Sequence, residues 1–130
     1  MRFVAFIVLL FATAGCSYTT DVAALTSTAP ATQFRADQPP RDALADVALA
    51  ADGKVGAIET LDYAQYRAVL VSRNYITGET LTTTVIRVEP DEGGSKVSVW
   101  ANPPAPPFQA PTAETVKAEY QRRRSLSQSI

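Results

Sequence analysis

Residues 80–101 read TLTTTVIRVEPDEGGSKVSVWA and contain two strand-like segments separated by a turn. The first segment, residues 80–88, is dense in β-branched side chains, which suit the pleated surface of a sheet. In residues 95–101 apolar and polar residues alternate, which places Val97 and Val99 on one face of a strand. The intervening EPDEGG is a strong turn signal. This region therefore predicts an antiparallel hairpin.

The segments before this hairpin extend the sheet. Residues 55–61 and 66–73 are two further strand candidates, and residues 74–79 form a loop. Because the connections are short, neighbouring strands are expected to pair antiparallel.

Residues 41–51 predict a helix. Pro39-Pro40 precedes the segment and Asp52-Gly53 follows it, both of which are typical helix boundaries. An apolar stripe recurs at helical spacing through Leu44, Val47, Ala48 and Ala51. The predicted fold class is α+β: one N-terminal helix packed on a three- to four-stranded antiparallel sheet, within a single domain of residues 41–101.

The chain after the sheet divides into two parts. Residues 102–111, NPPAPPFQAP, hold five prolines in ten residues and predict an extended connector. Residues 112–130 predict a C-terminal basic helix with Thr112 as its N-cap and with frayed final residues 125–130. Ala113, Val116 and Tyr120 share one face of this helix.

The first fifteen residues have the three parts of a secretory signal peptide. Met1-Arg2 gives a positive start, residues 3–12 are apolar throughout, and small residues follow from residue 13. The apolar run is too short for a transmembrane helix, which needs about 20 such residues. Residues 1–15 are therefore predicted to direct export.

The end of this segment, Ala14-Gly15-Cys16, resembles the lipobox of bacterial lipoproteins, and Cys16 is the single cysteine of the chain. The resemblance implies cleavage between Gly15 and Cys16, attachment of diacylglycerol to the Cys16 thiol, and acylation of the new N-terminus. Ser17 after the cysteine implies sorting to the periplasmic side of the outer membrane in a Gram-negative host.

Residues 16–40 are rich in Thr, Ala, Ser, Pro, Gln and Asp and show no clear helical or strand period. Such a composition is typical of a flexible tether, because it buries too little apolar surface to offset the entropy of ordering. About 24 flexible residues would reach roughly 25 to 30 Å.

Composition excludes several classes of function. The chain contains no histidine, which removes the commonest general base and metal ligand. The formal net charge of −1 argues against a nucleic-acid partner. No catalytic, metal-binding or cofactor-binding motif is present, so the sequence predicts a protein that is not an enzyme and carries no cofactor or metal.

Four cations near the C-terminus are the candidate contact residues: Lys117, Arg122, Arg123 and Arg124. They could bind an anionic surface or an acidic partner, or they could simply match the dipole of a solvated helix end. The proline-rich connector has the same two interpretations, a docking segment for a partner or a spacer.

Two further clusters have a functional and a structural interpretation. Glu89, Asp91 and Glu92 beside Gly93 could suggest a calcium loop, but the acids are few and the loop is short, which favours a solvated hairpin turn. Tyr66 and Trp100 could form a sugar-binding platform or belong to the core.

The sequence as a whole predicts a lipid-anchored cell-envelope protein that binds or scaffolds another envelope protein without catalysis. The alternative is a periplasmic ligand-binding or weakly hydrolytic module that acts on cell-wall glycan or lipid. In the first case the membrane, through the lipid anchor, and a second envelope protein are the expected partners.

Overall fold

The computed structural model describes residues 17–73, 75–102 and 113–128. Within them the chain forms three helices and five strands. The helices are α1 (Ser17–Thr26), α2 (Pro40–Ala51) and α3 (Ala113–Gln128). The strands are β1 (Thr32–Ala36), β2 (Ala57–Asp62), β3 (Arg67–Arg73), β4 (Thr80–Asp91) and β5 (Gly94–Asn102).

The strands form one sheet in the order β1-β5-β4-β3-β2, and each neighbouring pair is antiparallel. Strands β2 to β5 form a meander, as the short connections predicted, and β1 completes the edge beside β5. The α+β class is confirmed. The predicted number of three to four strands is wrong, because the described residues form a five-stranded sheet.

Strand β1 lies inside residues 16–40, where a flexible tether was predicted. That prediction is wrong at Thr32–Ala36, where buried and exposed residues alternate along the strand. Phe34 is buried, and its ring centroid lies 5.6 Å from that of Tyr120. The composition of this segment is a poor guide because its order comes from pairing with β5, about 60 residues later in the chain.

Helix α1 is the second ordered element in the predicted tether. It ends where two side-chain hydroxyls donate hydrogen bonds back to carbonyl oxygens one turn earlier. Thr26 Oγ1 donates to the Val22 carbonyl at 3.0 Å, and Ser27 Oγ donates to the Ala24 carbonyl at 2.7 Å. Such local bonds satisfy part of a helix end.

Helices α2 and α3 cover one face of the sheet, called here the helical face. The four stripe residues predicted for α2 are all buried, as are the three predicted for α3. They pack against apolar side chains from the strands. The sheet side of this core includes Phe34, Ala68, Leu70, Ile86, Val88, Val97 and Val99.

The β4–β5 hairpin is tighter than the sequence predicted, because both strands run into the predicted turn. The turn itself is Glu92-Gly93, with positive φ values of 28° and 79°, the combination that favours the right-handed twist of a two-residue hairpin. The next residue, Gly94, faces β1 so closely that a Cβ atom would lie 2.5 Å from the Ala36 carbonyl oxygen. Glycine is therefore required there for the two strands to pair.

The C-terminal helix is longer than predicted. It continues through residues 125–128, which were expected to be frayed. The predicted N-cap Thr112 and connector residues 103–111 lie outside the described residues.

Candidate functional site

The face of the sheet opposite α2 and α3, called here the second face, carries a small apolar cluster. The cluster consists of Val69, Val85 and Trp100. Helix α1 lies across it, and Val22 and Leu25 of this helix pack against it. The indole N–H of Trp100 donates a hydrogen bond to the Thr28 carbonyl oxygen at 2.9 Å, which fastens the chain just after α1 to the sheet.

A groove with a volume of about 600 Å³ lies beside this cluster, between α1 and strands β2 and β3. This volume is within the usual range for small-molecule sites. The groove is lined by four residues from α1 and the residue that follows it, and by four residues from the sheet. They are Val22, Ala23, Thr26 and Ser27, and Glu59, Thr60, Arg67 and Val69.

Arg67 supplies the positive charge of this groove, and it lies directly opposite Arg87 on the neighbouring strand. Like charges in this position repel each other. Arg87 is compensated, because its guanidinium lies 4.9 Å from the centre of the Trp100 ring and its Nε lies 3.4 Å from Glu89 Oε1. The buried Nε atoms of both arginines donate no hydrogen bond, but among the described residues Arg67 also lacks an acidic or aromatic partner of the kind that Arg87 has.

Two acidic residues lie close to Arg67: Asp62 is its partner on β2, and Glu59 lines the same groove. Both carboxylates accept hydrogen bonds from other groups. Asp62, opposite Arg67 on β2, accepts hydrogen bonds at Oδ1 from the Ala64 and Gln65 backbone N–H groups. Glu59 accepts one from Arg73, with 3.0 Å between Oε2 and Nη2. The groove therefore presents a guanidinium without a protein counter-ion in the part of the chain that the structure describes.

The predicted cations of the C-terminal helix do not form one patch. Arg122 donates a hydrogen bond to Glu119, and Arg123 Nε lies 3.7 Å from the same carboxylate. The hydrogen bond from Arg122 lowers the pKa of Glu119, and in turn Glu119 raises the pKa of Arg122. Arg122 and Arg123 follow Glu119 by three and four residues, a helical spacing from which these ion pairs could have been predicted.

Arg124 and Lys117 differ from these two paired residues. Arg124 lines two small depressions on either side of Tyr120, of about 230 and 200 Å³. Lys117 is partly buried and lines neither depression. Arg123 also lines the first of these depressions, so the helix end brings Arg123 and Arg124 together but does not bring all four cations together.

A hydrogen-bond network centred on Gln38 joins both helices of the helical face to the sheet. Gln38 Oε1 accepts from the Tyr120 hydroxyl at 2.6 Å, and Gln38 Nε2 donates to Asp46 Oδ2 at 2.6 Å. The Ser95 hydroxyl donates to the Gln38 carbonyl oxygen at 2.7 Å. Sequence reasoning missed Gln38 because it lies in the predicted tether. Its bonds connect α3 to α2 and to the sheet.

Burial raises the pKa of the Tyr120 hydroxyl. The Arg124 charge opposes this shift, whereas Asp46 and Asp37 add to it. Tyr120 therefore remains neutral around neutral pH and donates its proton to Gln38.

Two of the three acidic residues at the β4–β5 turn, Asp91 and Glu89, form ion pairs with cations of other strands. Asp91 Oδ2 lies 3.0 Å from Arg35 Nη1, and Glu89 Oε2 lies 3.9 Å from Lys96 Nζ. In the described ranges, no three Asp, Glu, His or Cys side chains lie close enough together to hold a metal ion. The geometry is that of a hairpin turn with surface ion pairs.

Tyr66 and Trp100 lie on opposite faces of the sheet and form no common platform. Tyr66 packs against the core of the helical face, whereas Trp100 is 2% exposed within the cluster of the second face. The core interpretation is confirmed for Trp100.

The predicted cleavage and lipidation residues, Gly15 and Cys16, lie outside the described residues. Among the helices in the described parts of the chain, none combines the length and apolarity that a bilayer crossing requires. A comparison of the chain with known protein families, curated proteins and solved structures finds no match in any of the three.

Proposed function

We propose that this chain is a lipid-anchored bacterial cell-envelope protein whose folded part is a non-catalytic binding or scaffold module. Cys16 would carry the lipid, and the periplasmic side of the outer membrane in a Gram-negative host would be its location. The sequence support is the exporting segment that ends in Ala14-Gly15-Cys16. Another envelope protein is the partner class that fits a scaffold role.

One structural observation supports this proposal above the others. Helix α1 (Ser17–Thr26) follows Cys16 in the sequence, and Val22 and Leu25 of this helix pack onto the second face of the sheet. A lipid at Cys16 would therefore be followed directly by a folded helix and not by a long flexible tether. A ten-residue helix is about 15 Å long, so the second face would lie within about that distance of the lipid.

The test is to replace Cys16 by Ser and to follow both acyl incorporation and membrane fractionation. We expect the wild-type chain to take up radiolabelled fatty acid and to sediment with membranes. The Cys16→Ser variant should lose the label and leave the outer-membrane fraction, because diacylglycerol transfer requires the thiol.

Ser17→Ala is the matched control, since it makes a change of similar size at the neighbouring residue and keeps the thiol. It should be labelled as the wild type is. Absence of label in the wild type, or unchanged membrane association of Cys16→Ser, would exclude Cys16 as the anchor.

The groove on the second face favours a second candidate, a periplasmic ligand-binding module that takes a lipid or cell-wall component. Three observations support this candidate: the volume of the groove, the apolar side chains of Val22, Ala23 and Val69 in its lining, and the Arg67 guanidinium, which has no acidic partner among the described residues. The two candidates are compatible, because a tethered scaffold can also bind a small ligand.

A further inference from the structure

We propose that the groove between α1 and strands β2 and β3 binds the carboxylate end of an acyl chain. Arg67 is the counter-ion of the carboxylate, and Val22 and Val69 contact the hydrocarbon. This assignment names a ligand class for the groove, and it does not depend on lipid attachment at Cys16. It rests on the second candidate function, whereas failure of fatty-acid binding leaves the lipid anchor at Cys16 standing, and failure of the anchor leaves the groove assignment standing.

The positive charge of Arg67 selects an anion. The side chain is half-buried and faces the like charge of Arg87 across the strand pair. Arg87 contacts Glu89 and Trp100, whereas Asp62 and Glu59 hold other partners. A guanidinium binds a carboxylate through two parallel N–H···O bonds, which a bound ligand can supply here.

The apolar side chains among the lining residues favour a ligand with a hydrocarbon part. Val22 and Ala23 lie on the helix side of the groove, and Val69 lies on the sheet side. A small inorganic anion would leave the exposed surface of Val22 and Ala23 in contact with water, whereas an acyl chain would cover it at a gain of about 25 cal/mol per Å². The volume of about 600 Å³ accommodates such a chain.

Glu59 favours a singly charged head group. Its carboxylate lines the same groove and is half exposed. A doubly charged phosphate monoester would be repelled by Glu59 more strongly than a carboxylate, and the groove offers it a single unpaired guanidinium among the described residues. The charges therefore favour a fatty acid over a phosphorylated lipid.

The experiment uses the full chain as purified from its host and a palmitate analogue with a photoactivatable diazirine in mid-chain. After irradiation and digestion, mass spectrometry locates the adducts. We expect adducts on the segments that contain Val22 and Val69 and none on α3, which covers the opposite face. Unlabelled palmitate should compete, and hexadecanol, which has the same chain and no charge, should not.

Substitution of Arg67 tests the role of its charge. Arg67→Gln should weaken labelling about tenfold, as expected for loss of a hydrogen-bonded charge partner. Arg67→Lys, which keeps the charge, should retain most of the labelling. Lys96→Gln is the matched control, because Lys96 lies on the same face outside the groove and pairs with Glu89 at 3.9 Å. It should label as the wild type does.

Three results would overturn the proposal. They are equal labelling of Arg67→Gln and wild type, equal competition by hexadecanol and palmitate, and adducts spread over α3. Because Arg67→Gln relieves the repulsion from Arg87, its unfolding midpoint should equal or exceed that of the wild type. A fall in labelling is therefore attributable to binding.

Discussion

The two faces of the sheet are covered in different ways. The helical face is sealed by α2 and α3, and its core is continuous from β1 to β3. The second face is covered in part by the single helix α1, over a cluster of three buried residues. Charged residues such as Arg67, Arg87 and Lys96 occupy the remainder.

This difference indicates that one face of the sheet supplies stability and that the other carries the candidate binding site. Burial of apolar surface on the helical face supplies most of the stability. The second face can therefore carry an open groove and two like charges opposite each other, Arg67 and Arg87, of which Arg67 has no counter-ion among the described residues.

The strongest test removes packing from the helical face. Leu44→Ala deletes a fully buried side chain and should lower the free energy of unfolding by about 3 kcal/mol, because it leaves a cavity. Leu49→Ala on the same helix is the control. Leu49 is 56% exposed, so its loss should cost about 0.5 kcal/mol or less. Urea denaturation measures both, and equal losses would contradict a sealed helical face.

A second pair of variants compares the two faces directly. Val99 and Val85 are fully buried valines on neighbouring strands, and each faces a different side of the sheet. Val99→Ala should cost about 2 to 3 kcal/mol, and Val85→Ala about 1 to 2 kcal/mol, because α1 alone covers the second site and can settle into the space. Equal urea midpoints for the two variants would mean that the packing relaxes to the same extent around both cavities, which would contradict the difference between the two faces.

The smallest expected effect concerns the link between α3 and Gln38. Tyr120→Phe removes the hydroxyl donor to Gln38 and should cost about 1 kcal/mol. Because burial raises the pKa of Tyr120 above its usual 10.0, the stabilisation is present below that pH and is lost as the pH rises through the raised value. Urea denaturation of the wild type and Tyr120→Phe should show a smaller difference in the free energy of unfolding at about pH 11 than at about pH 8. A constant difference would mean that ionisation of Tyr120 does not act on stability.

Local sequence patterns predicted the helical face well. The stripe through Leu44 and Val47 repeats at helical spacing, and the alternation at Val97 and Val99 marks a half-buried strand, so both could be recognised without tertiary information. Strand β1 could not, because its five residues gain their order from β5 far along the chain. Helix α1 was missed for a related reason: its contacts are with Trp100 and Val69, not within its own sequence.

The second face had almost no local signal. A charged residue such as Arg67 at the start of a strand normally indicates a solvated position. Its significance arises from residues that are distant in sequence, Arg87 across the strand and Val22 on α1. The C-terminal cations were singled out because they are consecutive, but the nearby Glu119 engages two of them.

The pairing of β1 with β5 also fixes an order of events during synthesis. Thr32 bonds opposite Val99 and Ala36 opposite Ser95, so β1 has no partner strand until the last strand has left the ribosome. Contacts of such wide sequence separation form late, after the local hairpins of β2 to β5. Strand β1 is thus synthesised about 60 residues before the strand that it pairs with, and in a growing chain its backbone groups stay unpaired until β5 has emerged.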